Sequence, residues 1–317
     1  MTNQKNPNVV VIGGGTGMPV ILRGLKELPI HLTTLVTVAD DGGSSGRIRS
    51  IMDLPAPGDI RNCLAALSDA EPFLIQLFQH RFTEGNGLSG HSMGNLLLAA
   101  MASITGDFYK GIQELSRVLS VKGDIYPITN ESLSLSAEMM DGSIVNGESK
   151  IPIENKRIKR VFLTPDPAQP LPDAIKAIEQ ADIVVISPGS LYTSILPNLI
   201  IPGVGKALSE TKAKVIYICN LMTQSGETAG YAASDHVQAI FDHIGPNTVD
   251  AIVSPNESID KRIQAIYAEE NAQPVIYDMA YLADMGLEII EGDIIIERDG
   301  VIRHDAKKIA ELIHALL

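Results

Sequence analysis

The sequence has little cysteine, little positive charge and no long apolar run. Its 317 residues include only two cysteines, Cys63 and Cys219, which lie far apart and without CxxC spacing. This excludes a disulfide framework or a paired-cysteine zinc site, so we expect both to be reduced core residues. Lys and Arg total 25 against 38 Asp and Glu, a formal net charge of −13. This balance argues against nucleic-acid and anionic-membrane partners, which require a basic face, and leaves open a local basic pocket for one small anion.

The missing apolar runs bear on localisation. The first eight residues, MTNQKNPN, are polar, unlike a signal peptide, and no segment approaches the roughly 20 apolar residues of a membrane span. We therefore expect a cytoplasmic protein. With 45% hydrophobic residues the chain can bury a large core, and we predict a single α/β nucleotide-binding domain over residues 1–317.

What the sequence does contain is an alternation of strand and helix patterns. Apolar, often β-branched runs predict strands at residues 9–12, 32–38, 183–187, 215–220, 249–253 and 274–277. Apolar residues at helical spacing predict helices at residues 18–28, 59–67, 73–82 and 306–317. This alternation predicts a three-layer α/β/α fold with a wound, mostly parallel, Rossmann-like sheet.

Residues 125–161 break the alternation. Short alternating segments flank Asp141-Gly142, a dipeptide typical of a β-hairpin turn, so we predict a β-rich excursion that is an insertion or lid with little core of its own. Residues 287–305 predict two or three further short strands before the last helix.

The first predicted strand ends in a glycine turn, VVVIGGGTG at residues 9–17. Such a turn lets the backbone approach a phosphate while the next helix presents its N–H groups. The spacing is neither that of the G-x-G-x-x-G dinucleotide fingerprint nor that of a Walker A loop. This argues against the alternative that the protein is an NAD(P)-binding oxidoreductase. A tight turn without a ligand is the alternative, but the order of strand, glycines and helix favours binding. The candidates are Gly13, Gly14, Gly15, Thr16 and Gly17.

Two polar segments follow the second predicted strand. Residues 39–47, ADDGGSSGR, put acids about 20 residues after the glycine turn, where a ribose-binding carboxylate is expected. We predict a phosphate-binding loop here, the alternative being a flexible surface loop. Asp59 is predicted to be an N-cap, and Arg61 in the first helical turn is unfavourable unless an anion lies nearby. The candidates are Asp40, Asp41, Gly43, Ser44, Ser45, Arg47, Asp59, Arg61 and Asn62.

Two more turns have the same character, GHSMGN at residues 90–95 and SPGSLYTS at 187–194. The first also fits the G-x-S-x-G nucleophile elbow of α/β-hydrolases, but no apolar strand precedes Ser92. His91 is either a donor in an anion site or a structural histidine. Most of these turns follow strands, so we expect them to converge in one cleft. The candidates are His91, Ser92, Asn95, Pro188, Gly189, Ser190, Thr193 and Ser194.

Four later residues complete the candidate set. Asn220 and Thr223, after the strand at residues 215–220, could contact a base or sugar, although Thr223 could instead cap a helix. Tyr267 could stack on a base or sugar, or pack on its neighbours in an edge strand. Arg303 could reach a phosphate from across the cleft, or be solvated.

No catalytic set is apparent. The sequence shows no triad, no dense cluster of metal ligands and no lysine placed for phosphoryl transfer. Asp40, Asp41 and Asp59 could hold Mg²⁺ beside a diphosphate, because that ion prefers hard oxygen ligands, but nothing requires a cofactor. The sequence therefore supports a binding site better than it supports a reaction.

Six segments together, VVVIGGGTG, TVADDGGSSGRIR, PGDIRNCLAAL, GHSMGNLLLAA, ISPGSLYTSILPNLI and NLMTQSGET, resemble the gluconeogenesis-factor (YvcK) branch of the CofD-like family over nearly the whole chain. The resemblance implies a three-layer α/β fold, binding of UDP-N-acetylglucosamine, and a role in cell-envelope growth and cell shape on gluconeogenic carbon. The related 2-phospho-L-lactate transferases bind a deazaflavin and transfer a phospholactyl group, and they are the enzymatic alternative.

A nucleotide-sugar ligand carries further expectations. Its diphosphate would lie over the turn at residues 13–17, with Arg47 and Arg61 facing the same anion, because a chain of net charge −13 must offset long-range repulsion locally. A regulator of this kind could contact an enzyme of amino-sugar synthesis. The sequence leaves a homo-oligomer open.

Overall fold

The computed structural model describes residues 6–298 and 300–317. Its strands are β1 (Asn8–Gly13), β2 (His31–Val36), β3 (Asp124–Pro127), β4 (Ser134–Met139), β5 (Ile144–Asn146), β6 (Ile158–Thr164), β7 (Ile183–Ile186), β8 (Lys214–Ile218), β9 (Ala251–Pro255), β10 (Glu288–Gly292), β11 (Ile295–Arg298) and β12 (Val301–His304).

The α-helices are α1 (Gly17–Leu25), α2 (Gly43–Met52), α3 (Gly58–Leu67), α4 (Pro72–Gln79), α5 (Met93–Thr105), α6 (Phe108–Val118), α7 (Pro172–Glu179), α8 (Leu196–Leu199), α9 (Val204–Glu210), α10 (Ala233–Ile244), α11 (Lys261–Ala268), α12 (Met279–Asp284) and α13 (Ala306–Ala315). Helices alternate with strands from β6 to β10, whereas five helices in succession, α2 to α6, connect β2 to β3. Along the described ranges, no helix is both long and apolar enough to cross a membrane.

Seven strands form one parallel sheet in the order β10-β9-β8-β7-β1-β2-β3. The interior strand β1 is buried on both faces, which its continuous β-branched sequence predicts. The α/β fold with a parallel, Rossmann-like sheet is thus confirmed. The strand order reverses between β1 and β7, because the chain builds β2 and β3 on one side and β7 to β10 on the other. Ligands of such sheets bind at this switch point, beyond the carboxyl ends of the strands.

The β-rich excursion is a three-stranded antiparallel sheet in the order β5-β4-β6, with the predicted hairpin at Asp141-Gly142. It begins after residue 125, because β3 pairs with β2 in the main sheet, and it continues to Thr164. Its buried Leu135 and Ala137 belong to the same hydrophobic core as the main sheet. The excursion also contacts the main sheet's loops, since the Ser149 N–H donates to Asp41 Oδ1 at 2.9 Å.

Two local predictions are wrong. Residues 274–277 form only isolated bridges, from Pro274 to Met222 and from Ile276 to Ala232, because no neighbouring strand extends alongside them. The predicted loop over residues 39–47 becomes helix α2 from Gly43 onward. The predicted C-terminal elements are confirmed as β10, the β11–β12 hairpin and α13, and both cysteines are free and buried as expected.

Candidate functional site

A cavity of about 510 Å³ lies at the carboxyl ends of β1, β7 and β8, where the strand order reverses. We call it the switch-point cavity. Helix α11 and strand β12 close its other side. Ten of the residues predicted from the sequence line it: Gly15, Thr16, Gly17, Pro188, Gly189, Ser190, Asn220, Thr223, Tyr267 and Arg303.

The glycine turn forms one wall for steric reasons. Gly15 has φ +65°, a left-handed conformation that other residues adopt at a cost, and a Cβ at Gly17 would collide with the Pro188 carbonyl oxygen. Thr16 is exposed, and its side chain makes no capping hydrogen bond to α1. The turn therefore leaves a hydroxyl and the first N–H groups of α1 beside the cavity, an arrangement suited to an anion.

Asn220 and Gln224 hold the opposite turn in place. Asn220 Oδ1 accepts from the Gly189 N–H at 2.9 Å, and its Nδ2 donates to the Gly189 carbonyl at 2.8 Å. Gln224 Nε2 donates to Ser190 Oγ at 2.9 Å. Asn220 thus has its amide engaged with backbone, which makes it a positioning residue for the turn.

Thr223 is buried and pairs with Gln273 rather than capping a helix. Its backbone N–H donates to the Gln273 carbonyl at 2.8 Å, and its Oγ1 accepts from the Gln273 N–H at 3.0 Å. The alternative that Thr223 starts a helix is wrong, because the next helix begins at Ala233.

Tyr267 and Arg303 form the third wall. Tyr267 lies in α11 and not in an edge strand, and its hydroxyl accepts from the Ile302 N–H at 3.0 Å, which ties α11 to β12. Arg303 is an exposed residue of β12. Among the residues that the structure describes, no carboxylate oxygen lies within 4.0 Å of its guanidinium. Arg303 therefore brings a positive charge, without an ion-pair partner among the described residues, to a cavity that the glycine turn also lines.

The other candidates near β2 do not line the cavity. We call them the β2 cluster: Asp40, Asp41, Gly43, Ser44, Ser45, Arg47, Asp59, Arg61, Asn62, His91, Ser92 and Asn95. At its centre, Ser44 Oγ pairs with His91 Nδ1 at 3.0 Å and accepts from Asn95 Nδ2 at 3.1 Å, and all three residues are buried. Ser92 caps α5 by accepting from the Asn95 N–H at 3.3 Å. These side chains bond to one another, so the predicted single cleft is divided.

Asp59 connects the two parts. Its Oδ2 accepts from the Gly15 N–H at 2.8 Å, and it lies within the first turn of α3, whose N-cap is Pro57, so the predicted N-cap role is wrong. Burial raises the pKa of Asp59 to about 6, with a further contribution from Asp40. The carboxyl is thus held by the Gly15 N–H of the glycine turn, and the charges of Asp40 and Arg61 in the β2 cluster also act on it.

An acidic residue of the excursion, Glu148, also faces this cluster. Burial, together with the charges of Asp40, Asp41 and Asp59, raises its pKa to about 8. Over residues 6–298 and 300–317, no group of three or more His, Cys, Asp or Glu is placed to hold a metal ion. Magnesium at Asp40, Asp41 and Asp59 therefore stays a prediction.

The last predicted residues belong to the scaffold around the turn. Thr193 Oγ1 donates to Glu227 Oε1 at 2.8 Å, within the π-helical turn Leu191–Ile195 that also contains Ser194. Gly13 accepts from Asn198 Nδ2 at 3.0 Å, and Gly14 lies against Asp59. The sequence reasoning missed Asn198, Gln224 and Glu227, although each is a polar residue inside a segment that it had already singled out.

Comparison with known proteins gives the family. Residues 9–295 match the family described as 2-phospho-L-lactate transferase CofD. The chain belongs to the CofD family. Among CofD-family relatives, the gluconeogenesis factor of Halalkalibacterium halodurans is 57% identical over 98% of this chain and 96% of that protein. The gluconeogenesis factor of Bacillus subtilis is 53% identical over 99% of both chains.

A solved structure agrees with this assignment. The crystal structure of a Bacillus halodurans protein matches with a TM-score of 0.96 at 57% identity, covering 98% of this chain and 100% of that chain. These relatives place the chain in the gluconeogenesis-factor branch of the CofD family.

Proposed function

We propose that this protein binds UDP-N-acetylglucosamine in the switch-point cavity and acts as a cytoplasmic, metabolite-responsive gluconeogenesis factor. In this role it would support cell-envelope growth and cell shape on gluconeogenic carbon. The observation that carries the proposal is the position of Arg303, which lines the same cavity as the glycine turn that begins α1. The relatives named gluconeogenesis factor support the physiological role.

The cavity suits a diphosphate joined to two larger groups. Its volume of about 510 Å³ lies within the range of about 300–1,000 Å³ typical of small-molecule sites. The N–H groups at the start of α1 and the Thr16 hydroxyl would bind the phosphates from one side, and Arg303 from the other. In a chain of net charge −13, this local cation offsets the long-range repulsion of a dianion.

The remaining walls suit the uridine and the sugar. The ring of Tyr267 lines the cavity and is fixed through its hydroxyl, so it could stack on a base or sugar. Glu270 and Ser190 supply oxygen atoms for hydroxyl groups, and Leu221 and Met222 supply apolar surface. Magnesium at Asp40, Asp41 and Asp59 would lie outside these walls, because the three carboxylates belong to the β2 cluster, so the proposal does not require it.

Calorimetry with UDP-N-acetylglucosamine tests the site. We expect saturable binding that Arg303→Ala weakens at least about tenfold, because a charge-assisted hydrogen bond contributes about 1.5–3 kcal/mol. Arg298→Ala is the matched control, an exposed arginine of the same β11–β12 hairpin that does not line the cavity. Absence of saturable binding, or equal affinity of the Arg303 variant and wild type, would overturn the proposal.

A turnover assay separates a regulator from an enzyme. The wild-type protein is incubated with UDP-N-acetylglucosamine or with a nucleotide-linked phosphorylated three-carbon acid, each alone and with candidate acceptors, and products are measured by mass spectrometry. Tight binding without turnover supports the regulator. Transfer of a phosphorylated three-carbon acid from a nucleotide-linked donor would replace it with the transferase alternative.

A further inference from the structure

Three arginine side chains lie close together beyond Asp59, outside the switch-point cavity. Arg81, between α4 and α5, donates from Nη1 to the Gly90 carbonyl at 2.6 Å. Arg47 of α2 lies against the same residue, since a Cβ at Gly90 would be 2.6 Å from Arg47 Nη2. Arg61 of α3 is the third, and the charge of Arg81 acts on it. We call Arg47, Arg61 and Arg81 the arginine cluster.

The protein offsets the positive charge of the arginine cluster only in part, through the charges of Asp59 and Asp40, which act on Arg61 against the lowering of its pKa. Within the described ranges, no carboxylate oxygen lies within 4.0 Å of a guanidinium nitrogen of these residues, although ion pairs are common elsewhere on the surface. Burial and then the charge of Arg81 lower the pKa of Arg61, while burial and then the charges of Arg47 and Arg81 lower that of His91. Such mutual repulsion is unfavourable unless an anion offsets it.

One donor in this cluster has no acceptor. Arg61 Nη2 donates to Asn62 Oδ1 at 2.7 Å, but its Nε is buried and lacks a partner among the described residues. A buried donor without an acceptor is unfavourable, so it favours a bound oxygen atom. Helix α5, whose N-cap Ser92 adjoins His91, begins beside this cluster and adds the positive end of its dipole.

The chemistry of the donors indicates the ligand class. Guanidinium groups present two parallel N–H donors that bind a pair of phosphate oxygens. Three positive charges also match the charge of a phosphate dianion more closely than that of a singly charged carboxylate ligand. Two of the three side chains, Arg47 and Arg81, are exposed, so a small solute can reach them. Asp59, bonded to the Gly15 N–H, stands between this cluster and the cavity.

We propose that the arginine cluster is a second anion site, separate from the switch-point cavity, which binds a dianionic phosphate group. The phosphate belongs either to a small phosphomonoester or to free inorganic phosphate. This assignment moves Arg47 and Arg61 from the nucleotide diphosphate to a different ligand, keeps the expectation that both face one anion, and adds Arg81. It does not depend on nucleotide-sugar binding.

The test is calorimetry on the full chain in phosphate-free buffer, with inorganic phosphate and sn-glycerol 3-phosphate as the two probes. We expect saturable binding that Arg81→Ala weakens at least tenfold. Arg117→Ala, an exposed arginine paired with Glu114, is the matched control and binds as wild type. Tighter binding of glycerol 3-phosphate identifies a phosphomonoester site, whereas tighter or equal binding of inorganic phosphate identifies a free-phosphate site.

Independence from the cavity is tested with the same variants. Arg303→Ala keeps phosphate binding, and Arg81→Ala keeps UDP-N-acetylglucosamine binding. Arg81→Lys keeps the positive charge but loses the paired N–H donors of the guanidinium, so we expect an intermediate phosphate affinity. It replaces Arg81→Ala in the test if the alanine variant does not fold. The proposal is overturned if the folded Arg81 variants bind phosphate as wild type, if no phosphate binding is detected, or if Arg303→Ala abolishes phosphate binding.

Discussion

The two halves of the predicted site begin with the same kind of sequence and fold into different environments. At the ends of β1 and β7, small polar residues line a cavity, and Thr16 is exposed. Beyond β2, the equally small and polar Ser44, with His91 and Asn95, is buried in a network of mutual hydrogen bonds. Turn composition thus shows where the chain leaves the sheet, but the neighbouring elements decide whether the polar atoms face a ligand or one another.

The topology explains the difference. Connections from β1 and β7 diverge at the switch point, which leaves a space between them. On the β2 side the chain instead continues through consecutive helices, with α3 packed against α1 and α2 against α5, so the space is filled. We call the switch-point cavity, with the turns after β1 and β7, the open half and the β2 cluster the packed half, and the predictions below test the contrast between them.

The largest effect on stability is expected at Asn198, which holds the turns of the open half together. It is fully buried, and its Nδ2 donates to the carbonyls of Gly13 and Ser194 at 3.0 and 2.9 Å. Asn198→Ala removes both buried hydrogen bonds, although the Gly13 carbonyl still accepts from the Thr37 N–H at 3.1 Å, and it leaves a cavity, so it should lower the free energy of unfolding by about 2–4 kcal/mol. Chemical denaturation measures it, with the exposed Asn256→Ala as a control that changes stability by less than about 0.5 kcal/mol.

A result for Asn198→Ala within error of Asn256→Ala would show that the end of β1 is held by the sheet alone. The open half would then be no more dependent on side-chain support than an ordinary surface turn.

A smaller effect distinguishes the halves directly. Ser44 Oγ serves both His91 and Asn95, so Ser44→Ala should lower the free energy of unfolding by about 1–3 kcal/mol while leaving UDP-N-acetylglucosamine affinity nearly unchanged. Thr16→Ala should do the reverse, with stability within about 0.5 kcal/mol and affinity reduced several-fold. Denaturation and calorimetry on both variants measure the two effects. The contrast fails if Thr16→Ala destabilises the protein more than Ser44→Ala does.

The sheet was largely predictable because its strands carry the signal of burial. Continuous apolar runs identify β1, β7 and β8, and a glycine turn after β1 indicates a close approach of backbone. The strand predicted at residues 274–277 failed because its apolar residues match a strand only locally, and pairing is a tertiary property. Helix α2 was missed because its glycines and serines have low helix propensity, which packing overrides.

The sequence indicated which residues lie near the site, but not which of them line the cavity and which bond to one another. Thr16 and Ser44 occupy equivalent places after a strand, so no pattern in the sequence separates a wall of the cavity from the interior of a network. Arg81 was missed although its contact with Gly90 is local, because only the fold brings the distant Arg47 of α2 against the same glycine. Long-range contacts of this kind leave no local signature.

The boundary between the halves should respond to pH through Asp59. Burial, with Asp40, raises its pKa from 3.8 to about 6, although the Gly15 N–H and Arg61 act in the opposite direction. Between these values the folded state holds a proton that the unfolded state has released, so this group's contribution to stability falls as pH rises from about 4 to about 6. Asp59→Asn should therefore flatten the melting temperature against pH in this window, as measured by thermal unfolding.

The same proton should affect the ligand. Protonation of Asp59 as pH falls through about 6 removes a negative charge beside Gly15, so wild-type affinity for UDP-N-acetylglucosamine should rise in that range, and the Asp59→Asn variant should not show the rise. Parallel pH profiles for variant and wild type would place the diphosphate away from Asp59.

The smallest effect on stability and affinity is expected from removing the Tyr267 hydroxyl. This residue of the open half has a hydroxyl with a structural role and a ring with a predicted ligand-binding role, and substitutions can separate the two. The hydroxyl accepts from the Ile302 N–H at 3.0 Å and so fixes α11 against β12, while the ring lines the cavity. Tyr267→Phe removes only this bond and should cost about 1 kcal/mol of stability, with affinity lowered less than about threefold. Tyr267→Ala also removes the stacking surface, so calorimetry should show a much larger loss of affinity. If Phe and Ala weaken binding equally, the hydroxyl itself contacts the ligand, and the ring does not stack.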